Sequence, residues 1–383
     1  MKKSTFKKVV VMVLALCMAF AMAACGSKDE PKTEAKLVIG GIGPTTGGAA
    51  VYGLAVKQGA EIAVEEINAK GGLQIEYMFE DDTHDAEVAV NAYNKLMDKK
   101  MQLLMGTVTS SPCVAVSAKT YKDRVFELTP SASAPAVTEG KDNVFQMCFT
   151  DPNQGKTAAD YISANMSGKK VGVIYNSSDA YSTGIVDGFK AEAAVVGLSV
   201  VAYEAFPSDD TANFDTQIKA CMNAGADLVF LPIYYTPASL ILSQSKALNY
   251  APLFFGCDGL DGILALENFD LSLAEGVYLI TPFNPWTTGK DFADKYQAKY
   301  GEMPNQFAAD AYDCIYALYN AFQESGCTAD MSAADICDKM VPYFTGSFKV
   351  TGLTGADMAW AKNGEVSKAP IVAVIKDSAY ADL

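Results

Sequence analysis

Three stretches of the sequence carry polar groups dense enough to hold a small ligand. Gly106-Thr107-Val108-Thr109-Ser110-Ser111-Pro112 puts four hydroxyls between an apolar run and a Pro. Ser before Pro signals a helix start, so Ser111 is expected as N-cap and Pro112 in the first turn. Such a terminus offers free N–H groups and partial positive charge, worth roughly 0.3–1 kcal/mol toward an anion at an exposed end. With the hydroxyls of Thr109 and Ser110 it would hold a carboxylate without Arg. An ordinary N-cap accounts for Ser111 but not for the whole run. Leu128-Thr129-Pro130-Ser131-Ala132-Ser133-Ala134-Pro135 follows another apolar run. It presents hydroxyls and carbonyls to the same spot, or is a plain polar loop. Phe255-Gly256-Cys257-Asp258-Gly259 places an acid at a strand end. There it would neutralise an ammonium, a charge-assisted hydrogen bond worth about 1.5–3 kcal/mol, or simply turn the chain before Gly. Tyr52, Tyr181, Tyr234 and Tyr235 lie after strands or at helix starts, where rings give apolar walls with polar tips. These groups together suit a small zwitterion.

What the chain lacks narrows the field further. It has 383 residues, 45 acids against 30 bases, a formal net charge of −15 and a single His, His84. Arg124 is the one Arg, so no Arg cluster exists to grip phosphates, and an acidic chain repels nucleic acid. No G-x-S-x-G occurs and no spare His exists for a serine relay, so no enzyme activity is expected. Gly41-Ile42-Gly43-Pro44-Thr45-Thr46-Gly47 resembles a dinucleotide loop, but Thr46 stands where the third Gly belongs and Pro44 lacks an N–H. No cofactor is expected. Glu80-Asp81-Asp82-Thr83-His84-Asp85 gathers possible metal ligands, yet neighbours in sequence rarely converge on one ion. Asp85 is expected to cap a helix instead.

The N-terminus reads as an address. Lys2, Lys3, Lys7 and Lys8 precede an apolar run over 9–24, shorter than the ~20 residues a membrane span needs. Residues 1–24 are expected to be a signal peptide. Small residues before Cys25 look like a bacterial lipoprotein signal, with cleavage there and lipid on Cys25. Residues 25–36 are a polar tether. The mature protein is then held by lipid at the extracellular face of the cytoplasmic membrane. Apart from Cys17 and Cys25, seven Cys remain with no C-x-x-C pair. They read as small buried hydrophobes, with a Cys327–Cys337 bridge left open.

Periodicity supplies the elements that must position these groups. Short apolar strands are expected at 37–43, 75–81, 103–106, 125–129, 170–175, 199–206, 228–232, 253–256, 276–281, 348–350 and 371–376. Helical spacing falls at 52–70, 85–99, from 111 onward, and at 154–165, 183–196, 213–224, 238–248, 290–300, 307–325 and 333–340. Strands alternating with helices give an α/β fold of doubly wound parallel sheets. The length and a break near 149–154 favour two lobes. Ligands bind beyond the carboxyl ends of such strands, which between two lobes is a cleft.

The segments IGGIGPTTGGAAVYG, VEEINAKGG, FEDDTHDAEVAV, LTPSASAP, NSSDAYSTG and AADAYDCIYAL, in this order and spacing, resemble the type I periplasmic solute-binding proteins, above all the leucine/isoleucine/valine-binding family of ABC importers. The resemblance spans about 37–375. It implies lobe 1 in 37–150 and 282–350 and lobe 2 in 151–281 and 351–383, with crossings near Thr150, Thr281 and Val350 and hinged closure on ligand. It implies carboxylate binding by Ser110, Ser131 and Ser133, ammonium binding by Asp258 where the family often has Glu, and aromatic walls at Tyr52, Tyr181, Tyr234 and Phe307. Some members carry a disulfide at the positions of Thr83 and Thr109, which leaves the rigidity of that loop in question. The implied activity is capture of an apolar, branched-chain type of amino acid by a monomer that hands it to a membrane permease. A ligand-sensing domain, or a binder of amides or aromatic acids, is the alternative. The end of the chain at Leu383 without a second apolar segment favours the importer.

Overall fold

Leu37–Gly43 is apolar at nearly every position, the pattern of a parallel strand covered on both faces, and it forms β1, almost wholly buried. The computed structural model describes residues 35–383. The expected signal peptide, the expected lipidation of Cys25 and nearly all of the expected tether fall outside the described residues. Among these, no helix is long and apolar enough to cross a membrane.

The first sheet holds β1 (Leu37–Gly43), β2 (Ile75–Asp81), β3 (Leu103–Gly106), β4 (Phe126–Thr129) and β5 (Val144–Gln146), all parallel, in the order β2-β1-β3-β4-β5. Helices α1 (Ala50–Ala69), α2 (Ala86–Asp98) and α3 (Ser110–Asp123) connect them. Leu37 and Ile39 pack with α1 on one face, while Ile42 packs with Ala92 and Leu96 of α2 on the other. Asp85 caps α2 as expected, accepting from the N–H groups of Glu87 and Val88 at 2.8 and 2.9 Å.

The second sheet runs β12-β11-β10-β9-β8-β6-β7. Its parallel part is β6 (Lys170–Asn176), β7 (Ser199–Phe206), β8 (Leu228–Leu231), β9 (Leu253–Gly256) and β10 (Tyr278–Thr281). Helices α4 (Asp151–Asn165) and α5 (Ala180–Val196) cover one face, α6 (Asp215–Asn223) and α7 (Tyr235–Ala247) the other. β11 (Ile371–Lys376) and β12 (Ala379–Asp382) then add an antiparallel edge, a departure from the all-parallel expectation.

Helices α8 (Lys290–Tyr300), α9 (Gln306–Glu324) and α10 (Ala333–Phe344) return to the first sheet. α1 and α9 cross closely enough that a Cβ on Gly59 would lie 2.0 Å from the Ala308 carbonyl oxygen. Two expectations need correction here. The strand expected at 348–350 is a single bridge, Val350 to Met358, because Phe348 turns inward against Phe344 and Trp360. Residues 351–368, expected with lobe 2, stay on lobe 1: the Trp360 indole donates to the Gln146 carbonyl at 2.7 Å, and Gly364 pairs with Gln146. The last crossing therefore comes after Lys368, whose ammonium is buried against Asp310 at 2.6 Å and Thr354 at 2.7 Å. All seven described Cys are buried and free, Cys327 and Cys337 included.

Glu127 lies fully buried on β4, with Thr120 and Cys113 donating to its carboxyl. Burial pushes this group up to about 8, against roughly 4.3 in an unfolded chain. Folding therefore holds a proton that the unfolded chain releases, and stability declines as pH rises from about 4 to about 8. Glu127→Gln is expected to raise Tm by a few degrees at pH 8 and hardly at all near pH 4. Thermal melts over that range check it, and a gain that does not grow with pH contradicts it.

Candidate ligand site between the lobes

Both sheets use one strand order. β1 is flanked by β2 and β3 in the first, and β6 by β7 and β8 in the second. In such sheets the connections leave in opposite directions at this point, opening a crevice at the strand ends. Lobe 1 places Tyr52 (start of α1), Thr109 and Ser110 (start of α3) there, and lobe 2 places Tyr181 (start of α5) and Tyr234 (before α7). The two crevices face each other around a narrow cavity of ≈ 10 Å³, about the space of one water. Ser131, Asp258 and Phe307 complete the expected lining. Larger hollows of ≈ 310 and ≈ 340 Å³ lie beside Met303, but the expected polar groups converge only on the smaller one.

Ser133 is the exception among the expected residues. It is fully buried and does not line the cavity. Its hydroxyl lies against Asp151 at the start of α4. Ser111 also departs from expectation. The capping position of α3 is Thr109, and no side chain caps it. The Ser111 hydroxyl instead donates to Asp179 of the other lobe at 3.2 Å.

On the hydroxyl side, the Ser110 oxygen accepts from the Ala134 N–H at 3.2 Å, which leaves its proton free to donate. Ser131 donates to the Val108 carbonyl at 2.7 Å. The uncapped first turn of α3 adds N–H groups and its dipole. On the acid side, Tyr181 donates to the Asp258 carboxyl at 2.7 Å and accepts from the Gly259 N–H at 2.8 Å. The Asp258 N–H donates to Gln154 at 3.0 Å, and Gln306 donates to the Asp258 carbonyl at 3.1 Å. Burial pushes Asp258 up to about 7 despite these bonds, and Asp310 adds repulsion. Asp151 and Asp179 are likewise pushed up by burial. Tyr181 and Tyr234 stack at 4.7 Å, and Tyr52 meets Phe307 at 4.5 Å and Tyr234 at 5.5 Å.

The lobes are closed on each other. Tyr52 of lobe 1 donates to the Gly259 carbonyl and accepts from the Tyr235 N–H at 3.1 Å. The Val51 N–H donates to the Tyr235 hydroxyl at 3.2 Å, and Thr236 donates to the Gly48 carbonyl at 2.6 Å. The loops carrying Thr83 and Thr109, which have no Cys to join them, are tied by His84 Nδ1 and Thr109 Oγ1 at 2.9 Å. Sequence reasoning missed Val108, Gly259, Gln154, Gln306 and Asp179. Each sits beside a strand end or in the first turn of a helix facing the cleft, and that placement was the available signal.

The arrangement can take a carboxylate on lobe 1 and a cation on lobe 2, with aromatic rings between. The periplasmic binding protein family model matches residues 36–379. A Leu/Ile/Val-binding protein homologue of Brucella melitensis is 32% identical over 78% of this chain and 82% of its own. Among solved structures, the branched-chain amino acid transporter substrate binding protein of Streptococcus pneumoniae, in complex with isoleucine, is 27% identical. It has a TM-score of 0.80 and covers 90% of this chain and 97% of its own. A solute binding protein of an R. palustris ABC transporter, in complex with benzoate, shares the fold at a TM-score of 0.80 and 20% identity, over 91% and 95% of the two chains. The chain belongs to the periplasmic binding protein family.

Proposed function

We propose that this protein is the extracellular solute-binding component of an ABC importer, taking a free amino acid with an apolar side chain and delivering it to a membrane permease. The observation that carries this is the placement of Ser110 and the α3 N-terminus opposite Asp258 across one cavity. The lobe 1 groups suit an α-carboxylate and Asp258 suits an ammonium. The rings of Tyr52, Tyr234 and Phe307 suit an apolar side chain, whose burial contributes about 1.5–3 kcal/mol. The relatives named for leucine, isoleucine and valine support this class. Asp258 disfavours an aromatic acid such as benzoate, which brings no cation to the buried carboxyl. The protein acts as a monomer, catalyses nothing and needs no cofactor or nucleic acid. Lobe 1 comprises 37–150 and 282–368, and lobe 2 the remainder to 383.

A thermal-shift screen of the ligand-stripped protein against amino acids, amides and aromatic acids tests the class. Stabilisation only by compounds lacking an ammonium sinks it. Ser110→Ala and Asp258→Ala should each weaken the amino acid found by roughly 10–150-fold, the size of one charge-assisted hydrogen bond. Parental affinity in both variants sinks the site.

Proton linkage gives a separate check. Asp258 stands near 7 in the closed cleft, and an ammonium beside it favours the ionised form. Affinity should therefore fall as pH drops through 7, and binding near pH 6 should release protons. Titration calorimetry in buffers of different ionisation enthalpy reads that release. Heats that do not depend on the buffer contradict the Asp258–ammonium contact.

We further propose that lipid on Cys25 anchors the protein outside the cytoplasmic membrane. Cys25→Ala should move it from the membrane to the soluble fraction of fractionated cells, and retention in the membrane would count against the anchor.

A further inference from the structure

The one His of the chain stands at the cleft mouth on a backbone that few residues adopt. Thr83 and His84 have φ of 52° and 63°, left-handed values that cost non-Gly residues on the order of 1–3 kcal/mol each. Two carboxylates hold the bend: Asp81 accepts from the Thr83 N–H at 2.9 Å and Asp82 from the His84 N–H at 2.9 Å. Asp81 also accepts from the Thr45 N–H at 2.8 Å and the Thr46 hydroxyl at 2.7 Å, which fixes it to the loop after β1. Strain held this firmly points to a task for the side chain it aims.

The imidazole touches one cavity-lining residue from each lobe. Nδ1 lies 2.9 Å from the Thr109 hydroxyl of lobe 1. The ring stands edge-on to Tyr234 of lobe 2, centroids 5.5 Å apart at 88°. Beside it the Ser111 hydroxyl reaches Asp179 across the same seam, and the Asp179 carboxyl lies near enough to the imidazole to act on it electrostatically. Both Thr109 and Tyr234 line the cavity and His84 does not.

We propose that His84 is a positioning residue for ligand retention: it orients the Thr109 hydroxyl and, once the lobes meet, holds the Tyr234 ring over the cavity. The contact with Tyr234 exists only in the closed form. His84 therefore slows ligand escape and leaves entry, which takes place from the open form, nearly untouched. This rests on the cleft being an amino-acid site, so one arm of the test needs no ligand.

In that arm, amide hydrogen exchange is followed on the ligand-free full-length protein. His84→Ala should speed exchange at 107–112, where the Thr109 contact lies within lobe 1 and needs no closure, with the sheets and Tm unchanged. In the second arm, L-leucine or L-isoleucine is used in stopped-flow fluorescence. Release should accelerate about 10-fold with the association rate within twofold. His84→Asn, which keeps a polar partner for Thr109, and His84→Phe, which keeps a ring against Tyr234, should each recover part of the effect. If His84→Ala lowers Tm, those two variants carry the comparison. Unchanged exchange at 107–112, or a loss of affinity lying in association alone, overturns the proposal. A parental protein that takes up neither amino acid overturns the functional reading instead, and the exchange result then decides the role of His84 by itself.

Discussion

A carboxyl group taken out of water without a cation governs the rest of the cleft. Asp258 is 3% exposed, and its carboxyl accepts from the Tyr181 hydroxyl at 2.7 Å with no cation beside it among the described residues. An ionised carboxylate so placed costs several kcal/mol unless it is paired, so the group stays near neutrality. Asp151 and Asp179 lie in the same region under the same pressure. Among the described residues, no Lys or Arg forms an ion pair with any of the three. A cationic group entering beside Asp258 relieves that cost at the moment the lobes exclude water. The aromatic rings keep water out, and the hydroxyls of lobe 1 handle the opposite charge.

The repeated strand order explains why these groups meet. Each lobe has its crevice at the carboxyl ends of the strands, and the crossings face one crevice to the other. The crossings are held by acids used differently from Asp258. Asp261 accepts from Tyr380 of β12 and from the Gln306 N–H at 3.0 Å, at the positive end of α9. Lys368 is paired with Asp310 in a dry setting and donates to Thr354 as well. Removing either partner would leave a lone buried charge, which is strongly destabilising. Asp310 lies one turn beyond Phe307, so the strut that fixes the last crossing also fixes a wall of the cavity.

Much of this was legible because local and tertiary signals agree. LVIGGIG and LVFL leave no polar face and can only be interior strands. The segments around Ser110, Asp258 and Tyr181 end such strands, and strand ends are where crevices open. The parts that escaped had weak local signals. β5 is three residues long, and β12 follows a turn in which Asp377 and Ser378 take φ of 52° and 59°, the geometry usually marked by Asn-Gly. Nothing in the local sequence announces that turn. Phe348–Val350 had strand-like residues, but packing of Phe348 on Trp360 decided otherwise. Ser133 looked equivalent to Ser131, and only tertiary packing, Ser131 on the Val108 carbonyl and Ser133 against Asp151, tells the two apart. Ser111 looked like a cap, but a partner from the other lobe took its hydroxyl.

Closure and selectivity are carried by different contacts. The bonds between Tyr52 and Gly259, Val51 and Tyr235, Thr236 and Gly48, and Ser111 and Asp179 join protein to protein. Each is a neutral or singly charged hydrogen bond of the kind that contributes about 0.5–3 kcal/mol net. They form with any solute small enough to let the lobes meet, so they stabilise the closed form without ranking solutes. A ligand shifts the equilibrium only through contacts it gains on closure. Discrimination must then come from what a solute does inside this narrow cleft: whether it brings a cation to Asp258, an anion to Ser110, and a shape that leaves Tyr52, Tyr234 and Phe307 in contact. A solute lacking the cation leaves Asp258 buried and unpaired in the closed cleft, a penalty that works as rejection.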